Sequence, residues 1–260
     1  MAKIAYAVLE SALRERKLDR TLTTALSPGR TDPSALAPLD IAALDSCLRG
    51  GLPRGQLSEL AGPDSSGRMT LLLQLMAAAT RRGELVALVD TFDRLDVASV
   101  VATGVDLDRL LWIRGIDTQG SALRAYDATS RAEERLHDRT IDRALKAVNL
   151  VLQAGGFGVV ALDLAEASPA ALTQIPYTTW PRVQRVIEGS DTACVLLTPH
   201  ALARSAGGLT LSLAGQSTWT GTSDSSRRLT GAHVAVRVVS PRRRVDGSVT
   251  VETRALDSHG

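Results

Sequence analysis

From residue 56 to residue 198 the chain alternates short, near-continuous apolar runs with longer stretches whose apolar residues recur at helical spacing. "QLSELAG" (56–62), "LVALVD" (85–90), "LLWIRG" (110–115), "FGVVALD" (157–163) and "TACVLLT" (192–198) read as strands. Apolar runs with little polar alternation are what a strand covered on both faces requires. The intervening stretches 66–82, 96–105, 133–154 and 181–190 read as helices. This order predicts an α/β fold: a mainly parallel, twisted sheet with helices on both faces. The last quarter changes to three alternating runs, "GGLTLSLAG", "AHVAVRVVS" and "GSVTVETRAL", with Gly, Ser and Pro signals between them and no helix. They predict antiparallel strands extending the sheet at its C-terminal end.

Ahead of this core, Ile4, Val8, Leu9, Leu13, Leu18 and Leu22 form an incomplete apolar stripe beside basic residues, the pattern of an amphipathic helix. Residues 27–40, with three prolines and a glycine, read as a linker. The expected organisation is an N-terminal helical arm and linker over 1–34 and a core domain over 35–260, with a short helix and a Gly-Gly turn near Ile41. Glu10 and Arg14 interrupt the first apolar run and no small-residue cleavage pattern follows, so a secretory signal is not expected. No apolar stretch approaches the roughly 18 residues of a membrane span. The reading is a soluble, cytoplasmic protein.

Composition changes this picture only modestly. With 260 residues and 44% hydrophobic content the chain can bury a large core. Charged residues at 22% and a net charge of +2 argue against both a disordered tail and a uniformly basic nucleic-acid coat. The two cysteines, Cys47 and Cys194, lie in apolar stretches and read as buried thiols of a reducing compartment. His137, His200 and His233 have neither metal-ligand spacing nor a triad context, and no G-x-G-x-x-G motif supports a dinucleotide. Neither a metal nor a cofactor is expected.

The chemistry concentrates in "GPDSSGRM". Gly62 and Gly67 have the spacing of the phosphate loop G-x-x-x-x-G-K-[ST], between a strand and a helix. Such a loop wraps phosphate oxygens with backbone N–H groups at a helix N-terminus. Its lysine places a compact charge on the terminal phosphates, and the next hydroxyl ligates Mg²⁺. Arg68 replaces that lysine with a broad planar guanidinium. Met69 replaces the hydroxyl with a thioether, a poor ligand for a hard cation. Thr70 comes one residue late, and a helical step of about 100° aims it away. A turn kept for its shape, weak nucleotide binding without turnover, and true hydrolysis are the three readings this loop leaves open.

Residues 44–90 resemble the nucleotide-binding core of the RecA recombinase, through a Gly-Gly-Leu-Pro turn, the glycine loop and a Leu-Gln helix. "ATGVDLDRLLWIRG" continues the match, and "FGVVALDLAEAS" stands where that family has its Walker B strand. The likeness runs over roughly residues 40–200 and is more specific in its first half. On this resemblance the carboxylate that orients the attacking water is replaced by Phe92, with Asp90 and Asp93 off its register. Asp163 keeps the Walker B position, where a buried aspartate can equally cap a neighbouring helix. Thr198 matches the glutamine that senses the γ-phosphate, and the long DNA-binding loop is reduced to about "PHALARSAGG". A RecA-like core with these departures resembles the ImuA family, RecA- and SulA-like accessory proteins of bacterial mutagenesis cassettes. The resemblance implies a non-enzymatic factor in SOS-induced translesion synthesis. Its implied partners are ImuB, an inactive Y-family polymerase relative, together with RecA and, indirectly, an error-prone replicative-type polymerase. The rival readings are a DNA-dependent ATPase or recombinase and a SulA-type inhibitor of cell division.

An inert core must act through its surface. The stripe Ile4, Val8, Leu9 and Leu13 could bind RecA or another protomer, or pack back on its own domain. Arg227, Arg228, Arg237, Arg242, Arg243 and Arg244 could form one basic edge for DNA phosphates or an acidic partner, or be solvated hairpin ends. Trp219 is the aromatic residue near them. Tyr177 and Trp180 in "IPYTTWPR" could form an exposed anchor or pack on the sheet.

Overall fold

A computed structural model describes residues 33–115, 130–203, 208–221, 226–240 and 248–254. Its main sheet begins with β3 (Gln56–Ala61), which follows a small ladder of β1 (Leu36–Ala37) on β2 (Leu52–Pro53) around α1 (Ala42–Cys47). Then come α2 (Arg68–Arg81), β4 (Leu85–Asp90), α3 (Val97–Thr103), β5 (Leu110–Arg114), α4 (Ser130–Ala154) and β6 (Phe157–Asp163). After these run α5 (Pro169–Gln174), α6 (Thr179–Ile187), β7 (Ala193–Thr198), β8 (Thr210–Thr220), β9 (Arg228–Ser240) and β10 (Ser248–Arg254). The sheet has eight strands in the order β10-β9-β8-β3-β7-β6-β4-β5. From β8 to β5 all neighbours are parallel, and β9 and β10 continue the sheet antiparallel. This is the α/β architecture expected from the pattern, antiparallel extension included.

Period-two alternation sorts each strand between two cores. Val86, Leu88, Val159, Ala161, Val195 and Leu197 face a core built with Leu71, Leu75 and Met76 of α2 and Val100 of α3. Ala87, Val89, Val160, Leu162, Cys194 and Leu196 face the other, with Ile141, Ala144 and Val148 of α4, Leu172 of α5, and Trp180 and Val183 of α6. Because β3, β4, β6 and β7 are parallel and covered on both sides, β4, β6 and β7 carry no polar side chains between their ends, while β3 buries Ser58 and Glu59. Their carboxyl ends consequently share one edge of the sheet, where Asp90 stands beside Asp163 and Ala61 beside Thr198.

Two expectations change. The second half of the expected linker is folded structure, with Ala37 and Leu39 fully buried. The Asp45 carboxylate holds it there by accepting the Leu39 N–H at 2.9 Å and the Ile41 N–H at 3.2 Å. Prolines mark irregular backbone, but irregular backbone can still pack. The unexpected helix α5 is short, opened by Ser168, whose side chain accepts the Ala171 N–H, and by proline in its first turn. The N-terminal stripe Ile4, Val8, Leu9 and Leu13 lies outside the described residues. No helix among them is long and apolar enough to cross a membrane.

Candidate functional site

The loop between β3 and α2 runs from a strand end into a helix N-terminus, the placement a phosphate loop requires. The Gly62 N–H donates to the Thr198 carbonyl at 3.1 Å, tying the loop's start to the neighbouring strand. Gly67 ends the loop in the left-handed region, at φ 89°, and caps α2 without a side chain. A Cβ there would lie 2.5 Å from Val234 Cγ2, and one at Gly62 would lie 2.5 Å from the Leu213 carbonyl oxygen. Both glycines are therefore required by the close approach of β8 and β9 as well as by the turn.

The side chains that follow point elsewhere. Arg68 is buried, its side chain 7% exposed, and Nη2 donates to Asp64 Oδ1 at 3.2 Å. Its Nη1 is buried without a hydrogen-bond partner, and so is the hydroxyl of Ser66. A cation in the first turn of a helix opposes the helix dipole, and α2 has no acidic residue in that turn. Met69 packs on the first core and Thr70 is exposed.

Asp163 ends β6 at the same sheet edge, 6% exposed. Burial pushes its carboxyl up to about 6; the Ala165 N–H it accepts at 2.8 Å and the charge of Arg68 pull the other way, while Asp90 raises it further. Its hydrogen bond closes a two-residue turn of its own loop and caps no neighbouring helix. Asp90 accepts the N–H groups of Arg94 and Leu95 at 2.9 Å each and the Trp112 indole N–H at 3.1 Å. Asp93 takes both hydrogen bonds of a fork from Arg114 at 2.8 Å. The Arg114 guanidinium in turn stacks 4.6 Å from the centre of the Trp112 ring. Phe92 points into the second core, 2% exposed, with its ring centre 5.2 Å from that of His137.

Sequence reasoning passed over Glu59. It lies in the middle of β3, 1% exposed, and Oε1 accepts the Thr198 hydroxyl at 3.1 Å and the N–H groups of Leu202 and Ala203 at 2.6 and 3.3 Å. Burial raises its carboxyl, opposed by these hydrogen bonds and by nearby His200. The strand into the phosphate loop is thereby pinned to the segment after β7. An acid in the middle of a buried strand was the signal for it.

The basic edge expected of six arginines is not one patch. Arg227 and Arg228 lie at the start of β9, whereas Arg237 stands nine residues further along, opposite Ser248 of β10. At about 3.3 Å per residue the separation is roughly 30 Å, because the arginines sit at opposite ends of one strand. Arg242, Arg243 and Arg244 lie outside the described residues. Tyr177 and Trp180 also part: Tyr177 is exposed and Trp180 is buried in the second core. His233 lies 3.7 Å from Glu252 on the neighbouring strand.

The family model of the RecA N-terminal domain matches residues 32–134. Protein RecA of Clavibacter michiganensis subsp. michiganensis is 38% identical over 127 residues, 48% of this chain and 35% of that protein. Protein RecA of Nostoc punctiforme is 44% identical over 89 residues, 34% of this chain and 24% of that protein. The chain thus matches about a quarter to a third of the length of these relatives. In sequence and fold it is RecA-like.

Proposed function

We propose that this protein is a non-enzymatic RecA-like accessory factor of damage-induced translesion synthesis. It acts by binding an ImuB-type inactive Y-family polymerase relative, RecA, or both, and brings in an error-prone replicative-type polymerase indirectly. The observation that carries the inert-core reading is the state of the loop. The strand–loop–helix turn is kept, while Arg68 is buried and bonded to the exposed Asp64. The donor set does not suit Mg²⁺ with a nucleoside triphosphate. A thioether turned onto the core offers no hard oxygen, and Oδ1 of Asp163 already accepts the Ala165 N–H. Phe92, buried where RecA has its water-orienting carboxylate, leaves that position without a base.

The ImuA-type role itself rests on the resemblance. The exposed sheet edge is consistent with a part played through surfaces: β5 ends the sheet, and among the described residues no strand pairs with its outer side. Leu111 on that strand is 43% exposed. Phosphate release by the purified chain with Mg²⁺·ATP and single-stranded DNA tests inertness, and the expected result is no turnover above background. Robust Mg²⁺-dependent turnover would overturn that reading. Affinity purification from damaged cells tests the role: an ImuB-type protein or RecA should co-purify, whereas FtsZ alone would favour division inhibition.

A further inference from the structure

The hairpin of β8 and β9 outruns the rest of the sheet. β3 pairs with β8 only as far as Ser212, yet β8 continues to Thr220. Leu213, Val236 and Val234 face the first core, Leu213 opposite Val236 and the exposed Gly215 opposite Val234. Ser217 and Ala232 come next, and an extra residue on β9, Thr230, then brings Leu229 opposite Trp219. Trp219 follows Leu213, Gly215 and Ser217 at two-residue intervals, so it lies on the core-facing side of its strand beyond the last core residue. There Trp219 is 51% and Leu229 47% exposed. Arg227 lies over the indole, 5.4 Å from its centre, and exposed Arg228 adjoins it. The described residues 216–221 and 226–231 include these two arginines and no carboxylate.

We infer that this hairpin end is a docking ledge for an extended, acidic peptide segment of a partner protein. The segment adds as a strand along the edge of β8 beyond Gly215, where no strand pairs with it among the described residues, and sets an apolar side chain on Trp219 and Leu229. Backbone pairing supplies affinity to any extended chain, while the ledge selects an apolar anchor with acidic neighbours. A peptide fits better than a single-stranded nucleic acid. The Arg227 guanidinium already covers the indole face on which a base would stack, and an aliphatic leucine beside it offers a base little. The proposal rests on the partner-binding reading above and names one of its surfaces.

The test is selection of phage-displayed random twelve-residue peptides against the full chain, after removing sequences that also bind Trp219→Ala. The expected sequences place Asp or Glu around a Leu, Phe or Trp. A synthetic copy should bind wild type and lose about tenfold or more in affinity with W219A or with R227E and R228E together. Replacing both arginines by lysine should keep most of the affinity, and all variants should melt as wild type does, since these side chains are exposed. Failure to recover sequences sensitive to W219A, or recovery of basic ones, would overturn the proposal. So would a thymidine oligonucleotide that binds through Trp219 and displaces the peptide. If an ImuB-type partner still co-purifies with W219A and no acidic peptide is found, the ledge falls and the accessory role stands. If the peptide binds as expected and no such partner co-purifies, the role falls and the ledge stands.

Discussion

Replacing Asp163 by asparagine should stabilise the protein at neutral pH, and by an amount that depends on pH. Asp163 is buried and its carboxyl is pushed from 3.8 up to about 6, chiefly by burial. An unfolded chain releases that proton near pH 4. Between pH 4 and 6 the native state therefore binds more protons than the unfolded state, and stability falls as pH rises through that window before levelling off above it. About two pK units at 1.36 kcal/mol each amount to roughly 3 kcal/mol at pH 7. The asparagine side chain would have no charge to bury and could still accept the Ala165 N–H through its carbonyl oxygen. Urea denaturation of both proteins from pH 4 to pH 8 should show an advantage for D163N that is near zero at pH 4 and about 3 kcal/mol at pH 7. Glu59, whose carboxyl is also raised by burial, titrates in both proteins and cancels from the difference. Removing the guanidinium of Arg68 should shift the wild-type step to higher pH, because that charge holds the Asp163 carboxyl down. A difference that is flat across the range, or of opposite sign, would refute the reasoning.

Other outcomes follow from the same edge of the sheet. Glu59→Ala leaves two N–H groups and the Thr198 hydroxyl without their acceptor, so it should cost about 2–3 kcal/mol. It should also speed hydrogen exchange at Leu202 and Ala203, while E59Q, with an oxygen still in place, should do much less; equal exchange in E59A and wild type would count against the clamp. Gly67→Ala meets both a left-handed φ and Val234, and should cost about 3 kcal/mol in chemical denaturation. The double change Arg68→Lys with Met69→Thr rebuilds the loop motif and should still give no phosphate release, since Phe92 remains buried. Cys194, whose thiol burial pushes up to about 12, should resist a thiol reagent at pH 8 until the chain unfolds, while half-buried Cys47 reacts first.

How far the sequence could carry the argument follows from the range of each signal. Strand runs such as "LVALVD" and "FGVVALD" were legible because burial on both faces leaves its mark within six or seven consecutive residues. The glycine loop was legible for a similar reason: its turn and the N-terminus of α2 are local geometry, so spacing alone placed Gly62 and Gly67. That Arg68 and Met69 stand where the motif has a lysine and a hydroxyl could also be read directly from residue type. Residue type could not say where those side chains go. The burial of Arg68 and Asp163 and the turn of Met69 onto the core depend on neighbours brought up by distant strands, as does the Trp112 indole on Asp90, whereas the bonds of Arg68 to Asp64, of Asp90 to Arg94 and Leu95, and of Asp163 to Ala165 are local.

Glu59 depends on the same long-range assembly, since its partners lie about 140 residues away and meet it only when β7 pairs with β3. Arg228 and Arg237 show the opposite case: closeness in sequence offered one basic edge, but the extended strand separates them by most of its own length. Local pattern, then, determined the elements and the character of the loop, because propensity and burial act over a few residues. Strand order and register, which arise only when distant segments bury one another, decided which of those residues share a site.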